Sequence, residues 1–132
     1  MKRIPAAKYA DRVTATKVAS GRWDGVRSVN FALDSTDERA LHIQGPDPEE
    51  GVCMVLSPSE HCAYDAFTEL TLTRDALLVR FTAEGKRTFG VASVRIDFDV
   101  NEREWQKMSR VLGTICKGKD YYSCAGGRLT GR

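Results

Sequence analysis

The sequence lacks the features that mark several common functional classes. Its 20 Lys and Arg residues nearly balance its 18 Asp and Glu residues, so the net charge is only +2, and the basic residues are scattered along the chain. A nucleic-acid-binding protein usually concentrates positive charge on one face, and we therefore expect no nucleic-acid partner. No apolar run approaches the length that crosses a membrane, so we expect no membrane association.

An export signal is also missing from the amino terminus. The first residues, MKRIPAAKYADR, carry two early positive charges without an apolar stretch behind them, whereas a signal peptide requires one. We therefore expect a cytoplasmic protein. In that compartment the four cysteines, Cys53, Cys62, Cys116 and Cys124, are expected to be reduced thiols.

Motifs for catalysis and for metal binding are missing as well. The chain contains no G-x-S-x-G, no H-E-x-x-H, no phosphate-binding glycine loop and no C-x-x-C pair, and its only histidines are His42 and His61. Because neighbours on an extended segment point in opposite directions, His61 would not easily act as the base for Cys62. We expect no enzymatic activity, no cofactor and no metal. The alternative is a small thiol- or metal-dependent enzyme that uses His61 and Cys62.

Alternation of apolar and polar residues dominates the middle of the sequence, which is typical of half-buried strands. In VRSVNFALD, for example, Val29, Phe31 and Leu33 fall on one side. Further strands are predicted in RALHIQG, VCMVLS, FTELTLTRD and ALLVRFT, and a weaker first strand in DRVTATKVASG.

The stretch VRIDFDVNEREWQKM contains four carboxylates, Asp97, Asp99, Glu102 and Glu104. Its first half alternates as a strand, which places the two aspartates on the polar face. Asn101 and Glu104 then have the spacing of a helix capping box, and apolar residues recur at helical spacing as far as Ile115. We therefore interpret the carboxylates as structural or solvated groups and not as a catalytic or metal-binding cluster.

These elements predict an α+β fold. We expect a single domain with a largely antiparallel β-sheet of six or seven strands and one C-terminal amphipathic helix packed on it. The length of 132 residues fits one domain. We assign the domain to residues 1–120 and expect residues 121–132, which are glycine-rich and basic, to be a partly flexible tail.

The segment GPDPEEG is the first candidate for binding a partner. It carries Asp47, Glu49 and Glu50 among prolines that hold it extended. Such an acidic loop can select a basic partner surface and speed association with it. The alternative is a solvated connection between two strands.

The segment SPSEHCAYDAF, from Ser57 to Phe67, is the second candidate. It lies between two apolar strands, is long for a hairpin connection, and gathers Glu60, His61 and Tyr64. We interpret it as a recognition loop, with the tyrosine as an anchor among polar groups. The alternative is a plain loop.

Three stretches follow one another along the chain: GVCMVLSPSEHCAYDAF, FTELTLTRDALLVRF with its Arg74-Asp75 turn, and VRIDFDVNEREWQKMSRVLGTIC. In their order and patterning, the residues from about Ser28 to Gly118 resemble the immunity protein 10 family of bacterial polymorphic toxin systems. The resemblance implies a cytoplasmic antidote that binds one cognate toxin and blocks its active site or partner surface. A non-catalytic subunit of a larger assembly is a further alternative.

Overall fold

The computed structural model describes residues 12–33, 39–47, 49–57 and 61–127, which form ten strands and two helices. The strands are β1 (Arg12–Thr14), β2 (Lys17–Trp23), β3 (Val26–Ala32), β4 (Ala40–Asp47), β5 (Gly51–Ser57), β6 (His61–Tyr64), β7 (Phe67–Leu72), β8 (Ala76–Phe81), β9 (Ser93–Asp97) and β10 (Tyr122–Cys124). The helices are α1 (Ala83–Phe89) and α2 (Glu102–Ile115). The predicted α+β class is confirmed.

The strands form two sheets of five strands each, so the prediction of a single six- or seven-stranded sheet was wrong. Sheet A has the order β1-β9-β8-β7-β10, and sheet B has the order β2-β3-β4-β5-β6. The short edge strands β1 and β10 lie parallel to their neighbours, and the other pairings are antiparallel. Alternation identifies a strand but not its partner, so the division into two sheets had no local signal.

The prediction of a single helix was also wrong, because the structure has a second, short helix, α1. Its N-cap Thr82 accepts a hydrogen bond from the Gly85 backbone N–H at 3.2 Å, and it ends at Gly90 in the left-handed conformation. Within α1 only Gly85 and Phe89 are buried. A helix of seven residues with so few buried side chains has no apolar periodicity to detect.

Helix α2 forms where the sequence predicted it. The Asn101 backbone N–H donates to Glu104 Oε1 at 3.0 Å, and the Glu104 N–H donates to Asn101 Oδ1 at 2.8 Å, which confirms the capping box. Met108, Leu112 and Ile115 are buried, and the helix packs against sheet B. Neither described helix has the length and apolar character needed to span a membrane.

One hydrophobic core joins the two sheets and both helices. Fully buried side chains come from sheet A (Leu70, Leu77, Ile96), from sheet B (Phe31, Ile43, Met54) and from α2 (Leu112, Ile115). The rings of Phe31, in β3, and Phe98, just after β9, lie with their centroids 6.2 Å apart. The inner faces of both sheets therefore pack against the same core, and their outer faces point away from it.

Of the four carboxylates after Val94, Glu104 takes part in the capping box, Asp97 and Glu102 pair with arginines, and Asp99 is exposed, which agrees with their interpretation as structural or solvated groups. Asp97 accepts hydrogen bonds from Arg12 and from Arg95, the latter at 2.8 Å. Glu102 pairs with Arg74 at 3.2 Å.

The structure describes the chain beyond α2 through residue 127. Tyr122–Cys124 form β10, which pairs with β7 in sheet A. Residues 121–127 of the segment that we expected to be a partly flexible tail are thus described, and residues 128–132 lie outside the described residues.

Candidate functional site

The outer face of sheet B is the most distinctive surface among the described residues. Strand register and the alternation of side chains place one residue in two on this face, away from the core. We define the outer face by Lys17, Ala19, Gly21 and Trp23 of β2; Val26, Ser28, Asn30 and Ala32 of β3; Ala40, His42 and Gln44 of β4; Cys53, Val55 and Ser57 of β5; and Cys62 and Tyr64 of β6. Most of these residues are small or uncharged.

Large apolar side chains are exposed at one end of this face. Among the described residues, the exposed large hydrophobic side chains are Trp23 at 48%, Val26 at 43% and Tyr64 at 39% relative accessibility. All three belong to the outer face of sheet B. Trp23 pairs with Val26 across the β2–β3 turn, and its ring lies over Gly21, 3.5 Å from where a Cβ on that glycine would sit.

An open cleft of about 380 Å³ lies at the same end of the face. Its walls come from the β2–β3 hairpin, from the end of β4 and from β5 and β6: Gly25, Val26, Arg27, Gln44, Gly45, Pro46, Asp47, Cys53 and Tyr64. Burial is the main cause that raises the pKa of the Cys53 thiol, so this thiol stays protonated in the wall. The cleft is large enough to receive one or two side chains of a partner.

The turn between β4 and β5 adds an acidic rim to the cleft. Asp47 Oδ1 accepts hydrogen bonds from the backbone N–H groups of Glu49 and Glu50, both at 2.9 Å. The bonds from Glu50 and Glu49 lower the pKa of Asp47, so its carboxylate is ionised at neutral pH. No ion pair within the described ranges involves these three acids. The rim therefore presents negative charge to solvent.

A partly buried corner follows Tyr64 at the end of β6. Asp65, in the left-handed region at φ 49°, accepts hydrogen bonds from Val52 N–H at 3.1 Å, from Tyr121 Oη at 2.6 Å and from Lys119 Nζ at 2.8 Å. Partial burial opposes ionisation, but the bonds from Lys119 and Tyr121 outweigh it and lower the pKa of Asp65. The segment after α2 is thereby tied to the end of β6.

Gly51 makes this corner possible. It has a φ of 101°, and a Cβ on it would lie 2.1 Å from Asp65 Oδ2. Only glycine tolerates both that backbone conformation and that approach.

Polar side chains form a hydrogen-bonded row at the other end of the outer face. Asn30 Oδ1 accepts from Ser28 Oγ at 2.7 Å and lies 2.6 Å from His42 Nδ1, and His42 Nε2 lies 3.2 Å from Ser57 Oγ. Burial lowers the pKa of His42. The row crosses β3, β4 and β5 and leads into a hollow of about 180 Å³ beside Lys17 and Ala40.

The structure brings together some of the predicted site residues and separates others. Asp47 and Tyr64 both line the cleft, with Glu49 and Glu50 exposed at its rim. His61 pairs with Leu56 and points to the core side of sheet B, where its Nδ1 is buried with no hydrogen-bond partner in the described part of the chain. Glu60 lies outside the described residues.

The prediction of a loop was wrong for His61–Tyr64, which form β6. Polar residues on the outer face of a sheet resemble loop residues in a sequence. His61 and Cys62 do point to opposite sides of this strand. Among the described residues, no three His, Cys, Asp or Glu side chains are grouped so that they could hold a metal ion.

Sequence reasoning missed Trp23 and Val26. Their signal was the dipeptide Asp24-Gly25, a strong hairpin turn signal that sets the two flanking residues opposite each other. Both turn residues have positive φ, 52° and 80°, as such a turn requires. The polar row, by contrast, had no sequence signal because it depends on the register of three strands.

Comparison of this chain with family models, with curated proteins and with solved structures finds no match.

Proposed function

We propose that the chain is a protein-binding domain whose binding surface is the Trp23 and Tyr64 end of the outer face of sheet B. We further propose that it acts in the cytoplasm as an immunity protein, which binds and neutralises a cognate bacterial toxin without catalysing a reaction on it. The observation that carries the binding proposal is that the large hydrophobic side chains exposed among the described residues lie at one end of the outer face: Val26 and Tyr64 line the open cleft, and Trp23 is the cross-strand partner of Val26.

Exposed aromatic residues beside a cleft have the properties of binding hot spots. Tyrosine and tryptophan contribute large contact areas, and they dominate binding energies when a partner excludes water from them. Clustering matters here, because single exposed apolar residues are common and need no explanation. The corner at Asp65 supports this assignment, since it fixes the backbone beside Tyr64 before any partner arrives and so lowers the entropic cost of binding.

The acidic rim favours a partner with a basic surface. Asp47, Glu49 and Glu50 are exposed and have no ion pair among the described residues. Unpaired charges at the edge of an interface accelerate association with an oppositely charged surface and select against others. A toxin that acts on nucleic acid would carry such a surface.

The assignment to toxin neutralisation rests on the resemblance of three stretches, between Gly51 and Cys116, to the immunity protein 10 family. A single rigid domain with an open sheet face is compatible with that role. We expect the toxin to bind at the Trp23 and Tyr64 end of the outer face of sheet B.

The proposal is tested by producing the chain together with the toxin domain encoded beside it in the source genome. We expect the wild type to protect the host cells and the double variant Trp23→Ala, Tyr64→Ala to lose protection, with an affinity for the toxin at least 100-fold weaker by calorimetry (roughly two hot spots). The matched control is Glu69→Ala, Arg80→Ala on the outer face of sheet A, which should protect like the wild type.

Two results would contradict the proposal. If the double variant folds and still protects, the surface is wrong. If the wild type neither protects nor binds the toxin, the toxin assignment is wrong.

A further inference from the structure

Ser57, His42 and Asn30 form a relay with the geometry of a nucleophile, its base and an orienting group. His42 Nε2 lies 3.2 Å from Ser57 Oγ, and His42 Nδ1 lies 2.6 Å from Asn30 Oδ1. Both separations are within hydrogen-bonding distance. A serine–histidine pair requires this distance for proton transfer, and a third group requires it to orient the base. The three residues come from adjacent strands, β5, β4 and β3.

The hydrogen bonds determine which nitrogen of His42 carries the proton. An amide oxygen can only accept, so Nδ1 must donate to Asn30 Oδ1. In the neutral imidazole, Nε2 then keeps its lone pair and faces the Ser57 hydroxyl. Burial, which lowers the pKa of His42, favours this neutral form at pH 7.

A hollow beside the relay has the size of a small acyl group. It is open to solvent, has a volume of about 180 Å³ and is lined by Lys17, Ala19, Asn30, Ala32, Ala40 and His42. Ser57 lies next to it, since Ala40 is its partner in the register of β4 and β5. Its walls consist of alanine methyl groups, the two relay side chains and Lys17.

We propose that Ser57 is a nucleophile activated by His42 and positioned by Asn30, and that it takes an acyl group from esters with a short apolar acyl chain. Ser57 Oγ attacks the ester carbonyl carbon while His42 Nε2 takes the hydroxyl proton. That proton then passes to the departing oxygen, so an alcohol leaves and the acyl group stays on Ser57. Water attacks the acyl carbon next, His42 again carries the proton, and a carboxylic acid and the free serine result.

This inference goes beyond toxin binding and is independent of it. The hollow shares no lining residue with the cleft at Tyr64. Failure of either proposal therefore leaves the other standing.

A fluorophosphonate reagent tests the proposal, because it modifies activated serines. The serine oxygen bonds to phosphorus, fluoride leaves, and the proton passes through His42 to solvent. We expect one adduct on the full chain, mapped by peptide mass spectrometry to Ser57, and none in Ser57→Ala. Ser109, on the exposed side of α2, is the internal control and should stay unmodified.

Two further variants distinguish a catalytic role of these three residues from a role in which their hydrogen bonds only link the strands. His42→Gln should slow labelling by about 100-fold, the lower end of what a general base supplies. Asn30→Asp should speed it about tenfold, since a carboxylate stabilises the imidazolium that forms. Asn30 Oδ1 already accepts from Ser28 and His42, so both neighbours can donate to a carboxylate in its place.

The outcomes are distinct. Labelling of Ser57 that falls in His42→Gln and rises in Asn30→Asp supports the proposal. Absence of an adduct on the folded wild type, or equal labelling of the wild type and both variants, overturns it. Circular dichroism establishes that each variant is folded, and if Ser57→Ala is not, the other two variants decide.

Discussion

The two sheets bury their inner faces in the same core, but they present very different outer faces. The outer face of sheet A carries charged residues that pair with one another, such as Glu69 with Arg80 across β7 and β8 at 2.9 Å and Arg95 with Asp97 along β9 at 2.8 Å. The outer face of sheet B carries uncharged polar and small residues, with Trp23 and Tyr64 exposed at one end.

We interpret the outer face of sheet A as a solvated surface and the outer face of sheet B as a surface suited to binding a partner. Charges that are paired within sheet A gain little from a protein partner, because binding would have to desolvate them. The exposed aromatic groups and the exposed acids on and beside sheet B gain from burial and from opposite charge. Both sheets contribute fully buried side chains to the core, so we attribute the contrast between their outer faces to function and not to folding.

Gly51→Ala should give the largest change in stability, because it breaks the corner that supports Tyr64. The new Cβ would lie 2.1 Å from Asp65 Oδ2 at a φ of 101°, so we expect a loss of about 3 kcal/mol in the free energy of unfolding. Urea denaturation measures it. The control is Gly113→Ala in α2, where nothing lies within 4 Å of the new Cβ, and helix propensity predicts a gain of about 0.5 to 1 kcal/mol. Equal stability of the two variants would contradict this account of the corner.

Asp97→Asn should weaken sheet A without affecting binding. The aspartate accepts from both Arg12 and Arg95, and its side chain is only 18% exposed. We expect a loss of about 1 to 2 kcal/mol in the free energy of unfolding with an unchanged affinity for the toxin. Weaker toxin binding by this variant, under conditions in which it is folded, would show that the two outer faces are not independent.

Asp65 should give a smaller effect that depends on pH. Its pKa is lowered in the folded protein, so its ionised form stabilises the fold above the unfolded pKa, about 4, and that stabilisation is lost as the pH falls through the folded pKa. Thermal unfolding between pH 7 and pH 2 should show a loss in the wild type that is reduced in Asp65→Asn. If the stability of the two proteins falls with pH in the same way, Asp65 does not contribute to the loss of stability in acid.

Glu69→Gln should have the smallest effect. Both partners of the Glu69–Arg80 pair are well exposed, at 45% and 68%, and exposed ion pairs contribute less than about 1 kcal/mol. We expect a change in the free energy of unfolding within about 0.5 kcal/mol, measured by urea denaturation, and no change in binding. A larger loss would mean that the paired charges on the outer face of sheet A contribute substantially to stability.

Local patterns were sufficient to predict α2 and most of the strands, and long-range pairing was not. Asn101 and Glu104 predicted the start of α2, because a capping box depends on residues three positions apart. In contrast, β1 and β10 are short strands that form only by pairing with β9 and β7, and their own residues carry little signal.

The site divides in the same way. Asp47 and Tyr64 were predicted as partner-binding residues, and both line the cleft. His61 was grouped with them because it is near in sequence, but side chains alternate along β6 and place it on the other side of the sheet. Trp23 is far from Tyr64 in sequence, and only the sheet order places both on one face.

Hydroxyl-radical footprinting of the chain, free and bound to the proposed toxin, tests the assigned surface most directly. Oxidation of Trp23 and Tyr64 should fall several-fold in the complex, while that of Leu78, on the outer face of sheet A, stays the same. If Leu78 is protected while Trp23 and Tyr64 stay reactive, the toxin binds the outer face of sheet A, and the assignment to sheet B is wrong.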